Sequence, residues 1–246
     1  MSHTLEVYEW KSMSTMEPFV SRIRSIDDLR GPSGRLETVL NSGHPDSLYA
    51  AIICHPHPKG GGTLHNKVVY HAMKAFTSVG VPVVRFNFRG VGLSEGMHDD
   101  GRGEVDDTRA VLDWIDQNLG LPILFAGFSF GSNVGLRACC GDARVKGFVG
   151  LGVPVHAEGR DYSYTFLPAC VGPKLFIIGD HDQYAPKQMV EEALGAAAEP
   201  KELHWVAGAD HFFQGTKDSP GAKLEEMQGL IRVWLQVQFG LTELLA

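Results

Sequence analysis

From about residue 50 onward, short runs of β-branched and aromatic residues alternate with longer stretches whose apolar positions recur every three or four residues. The runs are AAIIC (50–54), PVVRFNF (82–88), ILFAG (123–127), GFVGLG (147–152), KLFIIG (174–179) and ELHWVAG (202–208). This alternation predicts an α/β architecture, a mostly parallel sheet whose strands are joined by crossover helices lying on both faces. A first helix is predicted around Asn66–Ser78, with Val69, Met73 and Phe76 on one face and a stop at Gly80. A second begins near Gly103 and carries Val105, Leu112, Ile115 and Leu119 at helical spacing. Its first turn holds Glu104, Asp106 and Asp107, where the helix dipole favours anions. A third starts just after Ser129, a fourth spans roughly Pro186–Ala198, and the last runs from about Lys223 with Met227, Leu230, Ile231 and Trp234 as its stripe.

Upstream, FVSRIRSI and GRLETVL alternate in the manner of half-exposed strands and predict an antiparallel edge. Residues 1–18 fit no element and are set aside as an N-terminal extension. No internal repeat, charge block or Pro/Ser-rich linker interrupts the remainder, so residues 19–246 read as a single domain.

Composition narrows the classes. A hydrophobic content of 43% with no low-complexity tract argues against disorder, and 29 glycines fit many tight turns between short elements. A formal charge of −7 disfavours nucleic acid and anionic membrane as partners, since both need a cationic face. Charged residues at Glu6, Glu9 and Lys11 break up the stretch a signal peptide would need, and no uncharged segment is long enough to span a bilayer. The four cysteines contain no C-x-x-C pair, which makes poor material for a disulfide framework or a zinc site. A reducing, cytoplasmic setting is the simplest expectation. Oligomeric state is left open, a homo-oligomer included.

The candidate chemistry sits at strand ends. Gly127-Phe128-Ser129-Phe130-Gly131 fits G-x-S-x-G, with an apolar strand before it and a helix after it. In that context the serine occupies a sharp, strained strand-to-helix turn, and the flanking glycines let helix and strand approach closely. A Gly-rich turn with a capping serine is the bland alternative, so the partners downstream decide. FIIGDHDQYAP ends one strand with carboxylates and WVAGADHFF ends the next with a histidine. The order Ser, Asp, His is that of a nucleophile, an orienting acid and a base. His211 is the base. Of the two carboxylates, Asp180 abuts its strand whereas Asp182 lies in the loop that must bend toward the histidine, so Asp182 is preferred. Asp210 is too close in sequence to His211 to face it. One oxyanion donor is expected from the backbone N–H of Phe130. Another should come from the HPHPKGGG loop, where Pro56 and Pro58 have no N–H, leaving His57, Lys59 or Gly60.

Together, CHPHPKGGGTLHNKVV, RFNFRGVGLSEG, GRGEVDD, GFSFG, GDHDQYAP and GADHFF resemble the small, lid-poor bacterial serine hydrolases of the α/β-hydrolase superfamily, including carboxylesterase and dienelactone-hydrolase-like members. The resemblance covers about residues 48–235. It implies a single α/β-hydrolase domain with an N-terminal antiparallel edge and no large lid. It places the acid of a G-x-x-D-x-x-x-P segment on Asp182, between Gly179 and Pro186, and by position relative to a His-Gly pattern it favours His57 as the second oxyanion donor. HPHP replaces His-Gly here, which sets this loop apart from the family pattern.

Other features read as structural. The clustered His55, His57 and His65 lack the spacing of a metal site, and PKGGGTLHNK lacks the Gly-Lys-Ser/Thr ending of a phosphate loop, so no metal or other cofactor is expected. Arg89 is assigned to the turn after its strand, and Cys54 and Cys170 to inert positions. Tyr162, Tyr164 and Phe166, between the GFVGLG and KLFIIG strands, are candidates for a substrate wall, as are one or two of Tyr184, Phe212 and Phe213. The expected activity is hydrolysis of a small carboxylic ester through a Ser129 acyl-enzyme. The same apparatus could serve thioesters, amides, peptides or lactones, and a non-catalytic binding protein of the same fold is the rival from another class.

Overall fold

The computed structural model describes residues 21–157, 159, 160, 162–215 and 221–244; the N-terminal extension assigned to residues 1–18 lies outside them. Each of the six apolar runs forms a strand: β5 (Ala50–Cys54), β6 (Val83–Phe86), β7 (Ile123–Phe128), β8 (Val145–Leu151), β9 (Lys174–Gly179) and β10 (Lys201–Val206). Upstream lie β1 (Ile23–Ile26), the short pair β2 (Arg30–Gly31) and β3 (Gly34–Arg35), and β4 (Thr38–Asn41). The main sheet runs β1-β4-β6-β5-β7-β8-β9-β10, with β1 and β4 antiparallel to their neighbours and all pairs from β6 to β10 parallel.

The helices are α1 (Lys67–Ser78), α2 (Arg102–Leu119), α3 (Phe130–Cys139), α4 (Lys187–Gly195) and α5 (Ala222–Phe239). Two apolar layers cover the two faces of the sheet. Along β5, Ala50, Ile52 and Cys54 enter the layer shared with α2, α3 and α4, while Ala51 and Ile53 enter the layer shared with α1 and α5. This two-sided burial is why the strand sequences read as continuous apolar runs rather than alternating ones. Each fully buried Phe, Leu or Ile in these layers contributes about 1.5–3 kcal/mol relative to exposure.

The N-terminus of α2 refines the expectation drawn from its acidic first turn. Of the three acidic residues in that turn Glu104 alone caps it, accepting from the N–H groups of Gly101 and Asp99, both at 2.9 Å. Asp106 pairs on the surface with Arg109 at 2.9 Å. Asp107 is buried and receives Arg89 through both the Nε and Nη2 atoms, at 3.0 and 2.7 Å. Arg89 therefore ties the turn after β6 to α2, the structural role its sequence context implied.

Cysteine usage is where the structure departs from expectation. Cys140, at the end of α3, is joined in a disulfide to Cys170, in the connection between β8 and β9. Thirty residues separate the two, so no local spacing signals the pair, and the cysteines no longer argue for a reducing compartment. Cys54 is inert as expected: burial pushes its thiol up to about 12.

Candidate active site

The C-terminal ends of β7, β9 and β10 bring the chemistry together. Ser129 sits between the last residue of β7 and the first of α3 with φ 55° and ψ −124°, a conformation that costs a non-glycine residue about 1–3 kcal/mol. The surrounding backbone holds it there. Its N–H donates to the Leu151 carbonyl at 2.9 Å, and its own carbonyl accepts from the Ser132 N–H at 2.8 Å and the Ser132 hydroxyl at 2.6 Å. A Cβ on Gly127 would lie 2.5 Å from the Gly131 carbonyl oxygen, and one on Gly131 would lie 2.6 Å from the Cys54 carbonyl oxygen. Both glycines of the motif are thus required by the close passage of α3 over β7 and β5.

His211 follows β10 in a tight turn that Asp210 organises, its Oδ1 accepting from the N–H groups of Phe212 at 3.0 Å and Gln214 at 2.9 Å. That bonding turns Asp210 away from His211. The imidazole lies between Ser129 and Asp182, with Nε2 2.8 Å from the Ser129 Oγ and Nδ1 2.7 Å from the Asp182 Oδ2. Because an ionised carboxylate only accepts, the Nδ1 carries the proton and the Nε2 is left as acceptor for the serine hydroxyl. The second carboxylate oxygen of Asp182 accepts from the Tyr184 N–H at 2.8 Å. Asp180 is spent elsewhere, accepting from the Gly208 N–H at 2.6 Å. Ser129, Asp182 and His211 are each no more than 8% exposed, so these hydrogen bonds act in a medium that screens them weakly.

Facing them is the HPHPKGGG loop, pinned at its root by His55. This buried imidazole accepts the Phe88 N–H on Nε2 at 3.0 Å and donates from Nδ1 to the Pro56 carbonyl at 2.6 Å. Burial pushes it down to about 4, which keeps it neutral and able to make both bonds. Within the loop, the Lys59 N–H donates to the His57 Nδ1 at 3.1 Å and the Gly60 N–H to the His57 carbonyl at 3.0 Å. Two of the three backbone donors that the sequence left open are therefore occupied. The His57 N–H meets no acceptor among the described residues. Phe130 opens α3, so its N–H belongs to the helix turn without intrahelical partners.

A cavity of about 180 Å³ opens above Ser129 and His211, walled by Pro154, Tyr162, Tyr184 and Phe212. Of the aromatics proposed from sequence for the β8–β9 connection, only Tyr162 lines it. Tyr164 is buried and donates its hydroxyl to the Pro154 carbonyl at 2.9 Å, and Phe166 packs against Tyr164. Phe213 likewise belongs to the core. Among the described residues this connection contains no α-helix, only a single 3-10 turn at Leu167–Ala169, so it supplies no helical lid. A second cavity of about 480 Å³ adjoins the first through His57, Arg160 and Tyr162 and extends to Arg137. Sequence reading missed both arginines. Arg137 could have been found, since it falls seven residues after Phe130 and four after Asn133 on one face of α3, whereas nothing local marks Arg160. Among the described residues no cluster of side chains is arranged to hold a metal ion, and no helix is long and apolar enough to cross a membrane.

Residues 50–237 match the family model described as an alpha/beta hydrolase domain. The uncharacterized protein RP471 of Rickettsia prowazekii (strain Madrid E) is 34% identical over 191 residues, 75% of this chain and 80% of that protein. Among solved structures, an alpha-beta serine hydrolase homologue from Coxiella burnetii is 34% identical, with a TM-score of 0.75 over 89% of this chain and 100% of that one. XC6422 from Xanthomonas campestris, a serine hydrolase without lid, is 32% identical, with a TM-score of 0.74 over 90% of this chain and 97% of that one.

Proposed function

The chain belongs to the α/β hydrolase family, and from that premise we propose that it is a serine hydrolase that cleaves small carboxylic esters through an acyl-enzyme on Ser129. The strongest support is the unbroken hydrogen-bonded sequence Ser129–His211–Asp182, at 2.8 and 2.7 Å, on a serine held in a strained backbone conformation.

In this mechanism the Ser129 Oγ attacks the ester carbonyl carbon while its proton passes to the His211 Nε2, and the Asp182 carboxylate stabilises the imidazolium that forms. The carbonyl oxygen becomes an oxyanion that accepts from the N–H groups of Phe130 and His57. Collapse of the tetrahedral intermediate breaks the bond to the alcohol, which leaves with the proton from His211. A water molecule then attacks the acyl-enzyme, gives its proton to His211 and releases the acid as Ser129 regains its hydrogen. No cofactor enters any step. The small cavity over Ser129 fits a short acyl group better than a long aliphatic chain.

The test is hydrolysis of 4-nitrophenyl acetate by the purified protein and by its Ser129→Ala variant. Turnover that disappears with the hydroxyl supports the assignment. Turnover that survives in the variant near the parent level overturns it.

A further inference from the structure

We propose that the substrate carries an anionic group, a carboxylate, which is held in the cavity beside the nucleophile by Arg137 and Arg160. This deepens the ester-hydrolase reading and rests on it.

The chain as a whole is acidic, with 29 Asp and Glu against 22 Lys and Arg. Its general field therefore repels anions. Among the described residues, the lining of the cavity next to Ser129 has the opposite balance: Lys59, Arg137 and Arg160 against one carboxylate, Asp100. Asp100 is already engaged, 3.6 Å from the Lys59 Nζ and 3.2 Å from the His98 Nε2. Neither arginine has a carboxylate within ion-pair distance among the described residues. Glu158 and Asp161, which flank Arg160 in sequence, lie outside them.

The placement suits recognition. Arg160 lines both the cavity over Ser129 and the larger one beyond it. Arg137 projects from the same face of α3 as Phe130 and Asn133. Its Nη1 lies 3.7 Å from where a Cβ on Gly101 would sit, so the glycine with φ 88° leaves the guanidinium uncovered. His57, between the two cavities, registers the same field: burial first, then the charges of Arg160, His98 and Lys59, hold its imidazole at about 4. A planar guanidinium matches a carboxylate in a two-pronged geometry that a lysine cannot reproduce.

The experiment compares kcat/KM for acid and methyl-ester pairs. On the acyl side these are 4-nitrophenyl hydrogen glutarate and its methyl ester, with spontaneous hydrolysis subtracted; on the alcohol side, 4-acetoxybenzoate and its methyl ester. The wild type is expected to favour the acid on one side by on the order of 10- to 100-fold, the worth of one charge-assisted hydrogen bond. That ratio should fall toward 1 in Arg137→Gln or Arg160→Gln, recover in part in Arg137→Lys, and shrink with added salt. Because the readout is a ratio, partial loss of folded enzyme in a variant does not move it. Ser129-dependent turnover of the methyl esters with no preference for either acid, or a preference that both glutamine variants retain, would overturn this inference and leave the hydrolase standing. No Ser129-dependent turnover of any of the four esters would remove both.

Discussion

The two walls of the cleft are built on different principles. On one side Ser129, His211 and Asp182 are buried, each polar atom has a partner, and aromatic rings fix the imidazole: Tyr184 at 4.7 Å and Phe128 at 5.0 Å between ring centroids. On the other, His57, Lys59, Arg137 and Arg160 come from three separate segments and line a half-open cavity with charge. The first wall has its geometry settled before a ligand arrives, which is what bond making and proton transfer require. The second supplies field and, at Arg137 and Arg160, guanidinium groups without a carboxylate partner among the described residues. In the proposed function, reaction and selectivity are divided between buried strand ends and a more exposed surface.

If that division is correct, damage to the first wall should cost the most. Ser129→Ala and His211→Ala are each expected to lower kcat by about six orders of magnitude, because the three groups act as a unit. Next comes Asp182→Asn, at about four orders, since an amide favours the wrong imidazole tautomer. Asp180→Asn is its control. That side chain only accepts from the Gly208 N–H, so the variant should turn over within a few-fold of the parent at a stability cost of about 1 kcal/mol. Equal losses from the two substitutions in steady-state kinetics would erase the distinction between them.

The loop facing the nucleophile offers a smaller, sharper test. His57 has φ −55°, within reach of proline. His57→Ala keeps the backbone N–H and His57→Pro removes it, so kcat should fall about 10²- to 10³-fold further in the proline variant. Equal rates for the two would move the second oxyanion donor elsewhere.

The smallest effect concerns stability rather than rate. His55 titrates near 4 in the folded chain because burial penalises its charged form, against about 6.5 when unfolded. Between those values the unfolded chain binds a proton that the folded chain refuses, so stability is full above about pH 6.5 and is lost as pH falls toward 4. At pH 5 this one residue should account for about 2 kcal/mol of the loss. Urea unfolding of the parent and of His55→Gln at pH 7 and 5 measures it: the variant should show the weaker dependence.

The two walls also differed in how far the sequence revealed them. The strands and the serine turn were legible because their causes are local: continuous apolar runs, a glycine on either side of Ser129, and a helix directly after it. That Asp182 rather than Asp180 faces His211 was legible too: Asp180 directly follows the strand and bonds the Gly208 N–H, whereas Asp182, two residues further into the loop, meets the imidazole. The arginine-lined wall was not, because residues 59, 137 and 160 meet only once β5, α3 and the β8–β9 connection are packed together. Tyr164 was misjudged for the same reason, as its hydroxyl turns inward to the Pro154 carbonyl. The Cys140–Cys170 pair likewise depends on where the end of α3 lands, which no spacing along the chain records.

The most direct test of the central claim is labelling with a fluorophosphonate, read by intact mass and peptide mapping, in the parent and in His211→Ala. One adduct per chain, mapped to Ser129 and lost in the histidine variant, is the predicted result. No adduct under conditions that label a control serine hydrolase, or equal labelling in both proteins, would contradict an activated serine at this site.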